Sequence, residues 1–340
     1  MTTVTYMGEG AIDVRRSEPK EPGAGEVQVA VAYTGICGTD LHILRGHMDH
    51  RSPTIIGHEM SGNVSAVGEG VDGFELGDGV TVMPLAWCGA CRACRDGHNH
   101  VCHNLEFVGI DSPGALQTTW NVPANIVIPL PAAIPLRDAA LVEPVAVAVH
   151  DVNRSRLMAG ERAVIIGGGP IGALIGVVAR DLGAEVLVIE VDRERQANIA
   201  ALGFSTINPL DVDQVEWVER WSDGDGADVV FEVSGSAPGI LVATSLARVR
   251  GRVVVVGIQA HAQPLDLPRV FWRELEILGA RVYTREDFVQ AIQLIAEGTV
   301  PVDAIVSRVV PLESTMEAFA ALESGKAMKI LIDCQASEAV

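Results

Sequence analysis

The chain has 340 residues, with 25 Lys plus Arg against 44 Asp plus Glu and a formal net charge of −19. That length exceeds what one small-domain core organises and predicts two domains of roughly 150 residues each. So acidic a balance repels phosphate backbones and anionic lipid headgroups, which argues against a nucleic-acid or membrane partner, and 48% hydrophobic with 20% charged residues excludes a disordered or collagen-like chain.

Residues 1–14 carry no basic flank followed by an apolar run, so no secretory leader and a cytoplasmic chain are expected. From residue 26 to about 129, short β-rich runs at 27–33, 63–67, 80–83 and 125–128 are separated by glycine turns. They predict an irregular, mostly antiparallel β domain. After about residue 147 the pattern changes to apolar, β-branched runs at 163–166, 185–190, 228–232, 252–257 and 276–281, spaced by amphipathic stretches such as 193–202. This alternation predicts α/β architecture with a parallel sheet covered on both faces. The tail predicts a helix over 287–297, a strand over 305–310, a helix near 314–322 and a last strand over 329–333. The expected division is therefore 1–146 with 285–340 as one domain and 147–284 as the other.

The longest uncharged apolar stretch, 163–179, is slightly short for a membrane span and is broken by Gly167-Gly168-Gly169-Pro170. A predicted strand runs straight into Gly167-Gly168-Gly169-Pro170-Ile171-Gly172, matching G-x-G-x-x-G, and on into a helical stretch. Glycines there let the chain turn tightly, admit a pyrophosphate to the backbone and pack helix on strand without an intervening Cβ. The helix N-terminus adds amide donors and partial positive charge. The next apolar run ends at Glu190, where a carboxylate can accept from both adenosine ribose hydroxyls and repel a 2′-phosphate, favouring NAD over NADP. Arg195 is placed to assist either a ribose or a phosphate.

Four of the six cysteines, Cys88, Cys91, Cys94 and Cys102, follow C-x2-C-x2-C-x7-C. Two-residue gaps let consecutive thiolates face one ion, and four sulfurs fill a tetrahedral zinc site with no open position, which makes it structural. An iron–sulfur cluster begins with the same gaps but continues C-x3-C-P, and here Cys102 is followed by His103. His98, His100 and His103 read as solvated loop residues, and Cys334 has no assigned role. A second constellation joins Cys37, His58, Glu59 and Glu143. A thiolate, an imidazole and one or two carboxylates can hold zinc while leaving a position for water or substrate. Taken singly, Cys37 reads equally as a small buried hydrophobe, His58 as a core histidine and Glu143 as a helix-capping charge.

Gly57-His58-Glu59-Met60-Ser61-Gly62, continuing to Gly68 and Val71, matches the zinc alcohol dehydrogenase signature G-H-E-x2-G-x5-G-x2-V. With Cys37-Gly38-Thr39-Asp40-Leu41-His42, the four-cysteine lobe and the glycine turn, the sequence resembles a zinc-dependent medium-chain dehydrogenase/reductase over nearly its whole length. Cys-Gly-Thr-Asp-x-His and Val142-Glu143-Pro144 are similar to the branch containing sorbitol, threonine and butanediol dehydrogenases. The resemblance implies a GroES-like catalytic domain and a doubly wound Rossmann coenzyme domain. It also implies catalytic zinc on Cys37, His58 and Glu59, with Glu143 binding the metal or its water. Thr39 would accept the hydrogen bond of the substrate hydroxyl and pass its proton by way of the nicotinamide ribose to His42. Asp40 would accept the free N–H of His58, and Val256, Gly257 and Ile258 would lie beside the nicotinamide.

Zinc lowers the pKa of a bound hydroxyl and so favours hydride loss from its carbon, and the resemblance to the sorbitol and butanediol dehydrogenase branch implies oxidation of a secondary hydroxyl on a small polyol, sugar or diol. An amino alcohol, as for threonine dehydrogenases, is the alternative. A dinucleotide-binding sensor is a third reading, against which Cys37, Thr39, His42, His58 and Glu59 argue, since a pure binder needs none of them. Ile43, Phe107, Ile110 and Tyr283 are candidate substrate-lining residues. The resemblance also implies a homo-oligomer, tetramer or dimer, for which the run at 276–281 is a candidate contact.

Overall fold

The computed structural model describes residues 1–46, 52–325 and 327–336. Two compact units form, one from Met1–Glu143, Thr284–Gly298 and Ile305–Val340, the other from Pro144–Tyr283 and Thr299–Ala304. In the first unit, alternating burial along Glu26–Gly35 makes it the centre of a seven-stranded sheet. It pairs antiparallel with Glu59–Val67, Thr119–Pro123 and Lys329–Asp333. Gly79–Val82 and Val127–Pro129 extend one side, and Val306–Pro311 runs parallel to Lys329–Asp333 on the other. The strands Thr2–Gly8 and Ala11–Arg16, unassigned from the sequence, form a three-stranded sheet with Thr54–Ile55. The expected strand over 125–128 begins instead as a short 3-10 turn, Ala124–Ile126, with the strand confined to Val127–Pro129.

In the second unit six parallel strands stand in the order Ser205–Ile207, Glu185–Ile189, Arg162–Ile166, Ala227–Glu232, Ala247–Val255 and Glu276–Gly279. Central strands are apolar on both faces because helices cover both, and Val164, Ile166, Leu187, Ile189, Val230 and Val253 pack into one buried cluster. The strand order reverses between Arg162–Ile166 and Ala227–Glu232, which pair in register from Ala163 opposite Val229 to Ile166 opposite Glu232. Successive helices leave on opposite sides there, so a crevice opens at the carboxyl ends of these two strands, where open α/β sheets bind ligands. No helix among the described residues is long and apolar enough to cross a membrane.

Phe231 is fully buried in the central strand, so Phe231→Ala is expected to cost about 3–5 kcal/mol. Urea unfolding of the purified variant checks this, and a loss below about 1 kcal/mol would place the strand outside the core.

Candidate active site

The chain leaves the central strand at Gly35 and enters the helix Gly38–Leu44, whose N-cap is Cys37. Cys37 Sγ accepts from Thr39 N at 3.5 Å and Asp40 Oδ2 accepts from Cys37 N at 2.9 Å. This is a capping box with a thiol in place of the usual hydroxyl, and it orients Sγ and the Asp40 carboxylate together. Thr39 and His42 are three residues apart on the same helix and so share a face. Gly57, at φ +102°, turns the chain into His58 and the strand Glu59–Val67.

These elements bring Cys37, His58 and Glu59 together, with one ligand atom from each lying within 4.8 Å of the others. His58 and Glu59 are 2% and 1% exposed. The His58 ring stands edge-on to Phe107 at 5.2 Å between centroids. Asp40 Oδ1 faces His58 Nδ1 at 3.7 Å, a close charge contact longer than a hydrogen bond. Burial alone lowers the His58 pKa, but Asp40, Cys37 and Glu143 outweigh it and push it up to about 10. Burial raises the Asp40 pKa, opposed by His58 and the Cys37 amide. So strong a demand for positive charge, offered by sulfur, imidazole and carboxylate donors, fits a bound zinc ion.

Sequence reasoning missed Lys329. Its Nζ donates to Glu59 Oε1 and Oε2 at 2.6 and 2.7 Å, and to the Ile36 carbonyl at 3.0 Å. The two partners enter from strands flanking Glu26–Gly35 on opposite sides, with Glu59 opposite Gly35 on one side and Leu331 opposite it on the other. Glu59 reaches across because Gly35 has no side chain, since a Cβ there would overlap Glu59 Oε2. Lys329 is 2% exposed; burial lowers its pKa, and Glu59 and Cys37 more than reverse this, leaving it raised. The one sequence signal was a lysine heading an otherwise apolar strand, Lys329–Asp333. Glu143, 4% exposed in the first turn of the helix Val142–Ser155, interacts electrostatically with both His58 and Lys329.

The four remaining site cysteines also converge within 4.8 Å. Sulfur–sulfur separations are 3.5 Å for Cys91–Cys94, 3.7 Å for Cys91–Cys102 and 3.4 Å for Cys88–Cys102. A sulfur tetrahedron around zinc at about 2.3 Å has edges of about 3.8 Å, so the thiols are arranged for the ion. Backbone amides of Cys91, Cys88 and Asn104 point at Cys88 and Cys102 sulfurs from 3.3–3.4 Å. The amides of Ala90 and Cys91 draw the Cys88 thiol down to about 6, whereas lost hydration and the neighbouring thiols push Cys94 up to about 12. Crowded thiols cannot all ionise without a cation among them. His98 and His100 stand with ring centroids 6.2 Å apart and are not part of the sulfur cluster.

In the second unit Gly167 turns at φ +108°, and Gly169 caps the helix Pro170–Asp181 with Pro170 in its first turn. A Cβ on Gly172 would overlap the Gly167 carbonyl, whereas around Gly169 no protein atom lies within 4 Å of the Cβ position. The turn is thus closed by glycine on its inner side and open at the helix N-terminus, as a pyrophosphate requires. Glu190 Oε2 accepts from Gly168 N at 2.6 Å and Oε1 from Asp192 N at 2.8 Å, so the carboxylate braces the turn and keeps further lone pairs for a ribose. Ile171 and Arg195 are half-buried. Val256 and Gly257 amides donate to the Glu232 carbonyl at 2.9 and 2.8 Å, and Ile258 is exposed. Of the candidate substrate-lining residues, Ile43 and Tyr283 are fully buried core, Ile110 is buried, and Phe107 contacts His58. Cys334 is also buried, which pushes its thiol up to about 12.

Residues 23–132 match the family described as alcohol dehydrogenase GroES-like domain, and residues 170–297 the family described as zinc-binding dehydrogenase. The chain is 49% identical, over 99% of its length and 100% of the relative's, to 2-dehydro-3-deoxy-L-galactonate 5-dehydrogenase of Pseudoalteromonas atlantica. It is 31% identical to sorbitol dehydrogenase of Halalkalibacterium halodurans over 96% of this chain and 97% of that one. The crystal structure of 2R,3R-butanediol dehydrogenase from Bacillus subtilis superposes with a TM-score of 0.92 at 29% identity, covering 98% of this chain and 99% of the other. With its sulfur tetrahedron, its Cys37–His58–Glu59 cluster and its glycine turn, the chain belongs to the zinc-dependent medium-chain dehydrogenases, and it is an oxidoreductase.

Removing one partner of a buried ion pair costs about 3–5 kcal/mol, so Lys329→Met is expected to destabilise the first unit by that amount. Urea denaturation checks it, and an unchanged midpoint would show that the pair is not buried in solution.

Proposed function

We propose that the chain oxidises a secondary hydroxyl of a small polyol, sugar, sugar acid or diol to a ketone, with zinc held by residues of the first unit and NAD by the second. On this reading residues 1–146 with 285–340 are the catalytic zinc domain and 147–284 the dinucleotide-binding domain. The observation that carries it is the convergence of Cys37, His58 and Glu59 within 4.8 Å, in a chain 49% identical to an enzyme whose name gives a galactonate as substrate.

Bound zinc supplies a Lewis acid that lowers the pKa of a hydroxyl, and a bound nicotinamide accepts the hydride. Cys37 and His58 hold the metal together with a carboxylate from Glu59 or Glu143, and three protein donors leave a position for a substrate oxygen. Asp40, facing His58 Nδ1, would leave Nε2 as the nitrogen available to hold the metal. Thr39 Oγ1 would accept the hydrogen bond of the substrate hydroxyl and, as it takes that proton, pass its own O–H proton on by way of the nicotinamide ribose. His42, one helical turn on, carries it toward solvent, a task that suits an imidazole because the group titrates near neutral pH. Cys88, Cys91, Cys94 and Cys102 hold a second zinc that has no open position and serves structure. In the second unit Gly167, Gly169, Pro170, Ile171 and Gly172 receive the pyrophosphate, Glu190 and Arg195 the adenosine ribose, and Val256, Gly257 and Ile258 the nicotinamide side. Glu190 favours NAD because a 2′-phosphate would meet its carboxylate in a buried place.

Elemental analysis is expected to find two zinc ions per chain, one in Cys37→Ser and one in Cys91→Ser, with NAD binding retained in Cys37→Ser. A single ion in the wild type, or an unchanged count in Cys37→Ser, would remove the catalytic metal. NADH absorbance followed over a panel of sugar acids, polyols, diols and threonine is expected to rise with a polyhydroxylated member. Coenzyme binding without turnover of any member would favour a sensor, and turnover of threonine alone an amino-alcohol dehydrogenase. Glu190→Ala is expected to narrow the preference for NAD over NADP in kcat/KM by about tenfold. A wild type that already prefers NADP would overturn the role given to Glu190.

A further inference from the structure

The cysteine lobe is closed at its neck by a short antiparallel ribbon in which Leu85 lies opposite Phe107 and Ala86 opposite Glu106. Cys88 follows the first strand of that ribbon, Leu85–Ala86, and Cys102 precedes the second, Glu106–Phe107. Leu85 is fully buried, and just outside the last pair Val108 N donates to the Pro84 carbonyl at 2.9 Å. So short a ribbon is marginal by itself, because the loop between its strands loses its freedom in return for few hydrogen bonds. Four sulfurs drawn to one ion close that loop from within, and the free energy of binding the ion then counts toward ordering the ribbon.

The strand that leaves the lobe runs directly into the segment that holds His58. The Phe107 and His58 rings meet edge to face, at 83° between their planes, an arrangement that aromatic pairs prefer. Phe107 N donates to Asp111 Oδ2 at 2.8 Å, and the amides of Ile110 and Asp111 donate back to the Phe107 carbonyl at 3.0 and 2.7 Å, so the backbone under that ring is fixed at both of its polar groups. Farther on, the amides of Gly114, Ala115 and Leu116 donate to the carbonyls of Ile55, Gly57 and Ile56 at 2.7, 2.8 and 2.9 Å. A Cβ on Gly109 or Gly114 would overlap the Gly57 carbonyl, and one on Gly109 would also lie 3.2 Å from His58 Cβ. The His58 ring and the peptide that precedes it are thus both packed against residues 107–116. Contacts this close pass a displacement on rather than absorb it.

We infer that the two metal sites are coupled through this segment. An ion in the cysteine lobe fixes the ribbon, and Phe107 is the positioning residue through which the ribbon holds the His58 ring ready for the second ion. Filling the lobe therefore tightens the site of Cys37 and His58, and by thermodynamic reciprocity an ion at that site tightens the lobe. This rests on the reading that both clusters bind zinc, and it gives the lobe a part in shaping the catalytic centre.

Protein carrying zinc in the lobe and cobalt(II) at Cys37 and His58 tests it, because cobalt held by a thiolate and an imidazole absorbs visible light and so reports its own release to a competing chelator. Cys91→Ser, whose lobe is empty, is expected to bind cobalt about tenfold more weakly and with shifted visible bands, the scale on which groups supporting a metal ligand act. Phe107→Leu, with the lobe intact, is expected to shift the bands likewise and to weaken cobalt by about three- to tenfold. Combining the two substitutions is expected to add less than about twofold to the loss in Cys91→Ser, since both interrupt one path. The reciprocal measurement does not require the lobe variant to fold: Cys37→Ser keeps all four lobe thiols and is expected to hold its lobe zinc about tenfold more weakly than wild type. Cobalt affinity within about twofold of wild type in Cys91→Ser, or lobe zinc held equally by Cys37→Ser and wild type, would overturn the coupling. Additive losses in the double variant, or unchanged visible bands in Phe107→Leu, would overturn the part given to Phe107. A wild type that binds a single ion would instead overturn the two-metal reading on which the inference rests.

Discussion

Charge compensation in a place without water governs the first unit. Cys37, Asp40, Glu59 and Glu143 bring a thiol and three carboxylates toward one buried histidine, against the ammonium of Lys329. Anions in such a place persist only when each finds a cation or several donors. Lys329 neutralises Glu59 through both of its oxygens, and Asp40 is anchored by the Cys37 amide. What is left over, a sulfur, an imidazole and the carboxylate excess, is a donor set that suits a divalent ion. The family assignment and the electrostatics thus agree, although they rest on different observations.

The second unit obeys a steric constraint instead. Its sheet brings two strand ends together at the point where the order reverses, and the loops there approach so closely that Gly167, Gly172, Gly235 and Gly257 each stand where a Cβ would meet backbone. Removing side chains exposes amides, and exposed amides at a helix N-terminus attract a pyrophosphate. Glu190 and Glu232 brace these loops from either side, one bonded to the amide of Gly168 and the other to that of Gly235. Both carboxylates act on loop backbone before they act on any ligand.

Much of this was legible in the sequence because its signals are local. The glycine turn needs six consecutive residues, the sulfur tetrahedron fifteen, and the parallel strands are apolar runs that report burial on both faces. What escaped depends on contacts between distant residues. Lys329 and Glu59 are 270 positions apart, and no spacing rule links them. Asp40 and His58, by contrast, were paired beforehand through the family resemblance, and they meet because a helix cap and a strand entry converge. Ile43 and Tyr283 were candidate substrate contacts, and both proved to be core, since an apolar residue in a motif-rich segment carries no local sign of which way it faces.

The position of Lys329–Asp333 bears on how the molecule comes into being. This strand lies beside Glu26–Gly35 near the middle of the first unit's sheet, and it delivers the counter-charge for Glu59. Domains assemble as units while the ribosome is still adding residues, those complete earliest first. The six parallel strands from Arg162 to Gly279 are contiguous and have all emerged before the ammonium that Glu59 needs has been translated. The strands of the second unit's sheet are therefore all translated before the first unit's sheet is complete, and Asp40, Glu59 and Glu143 precede the ammonium of Lys329 in the growing chain.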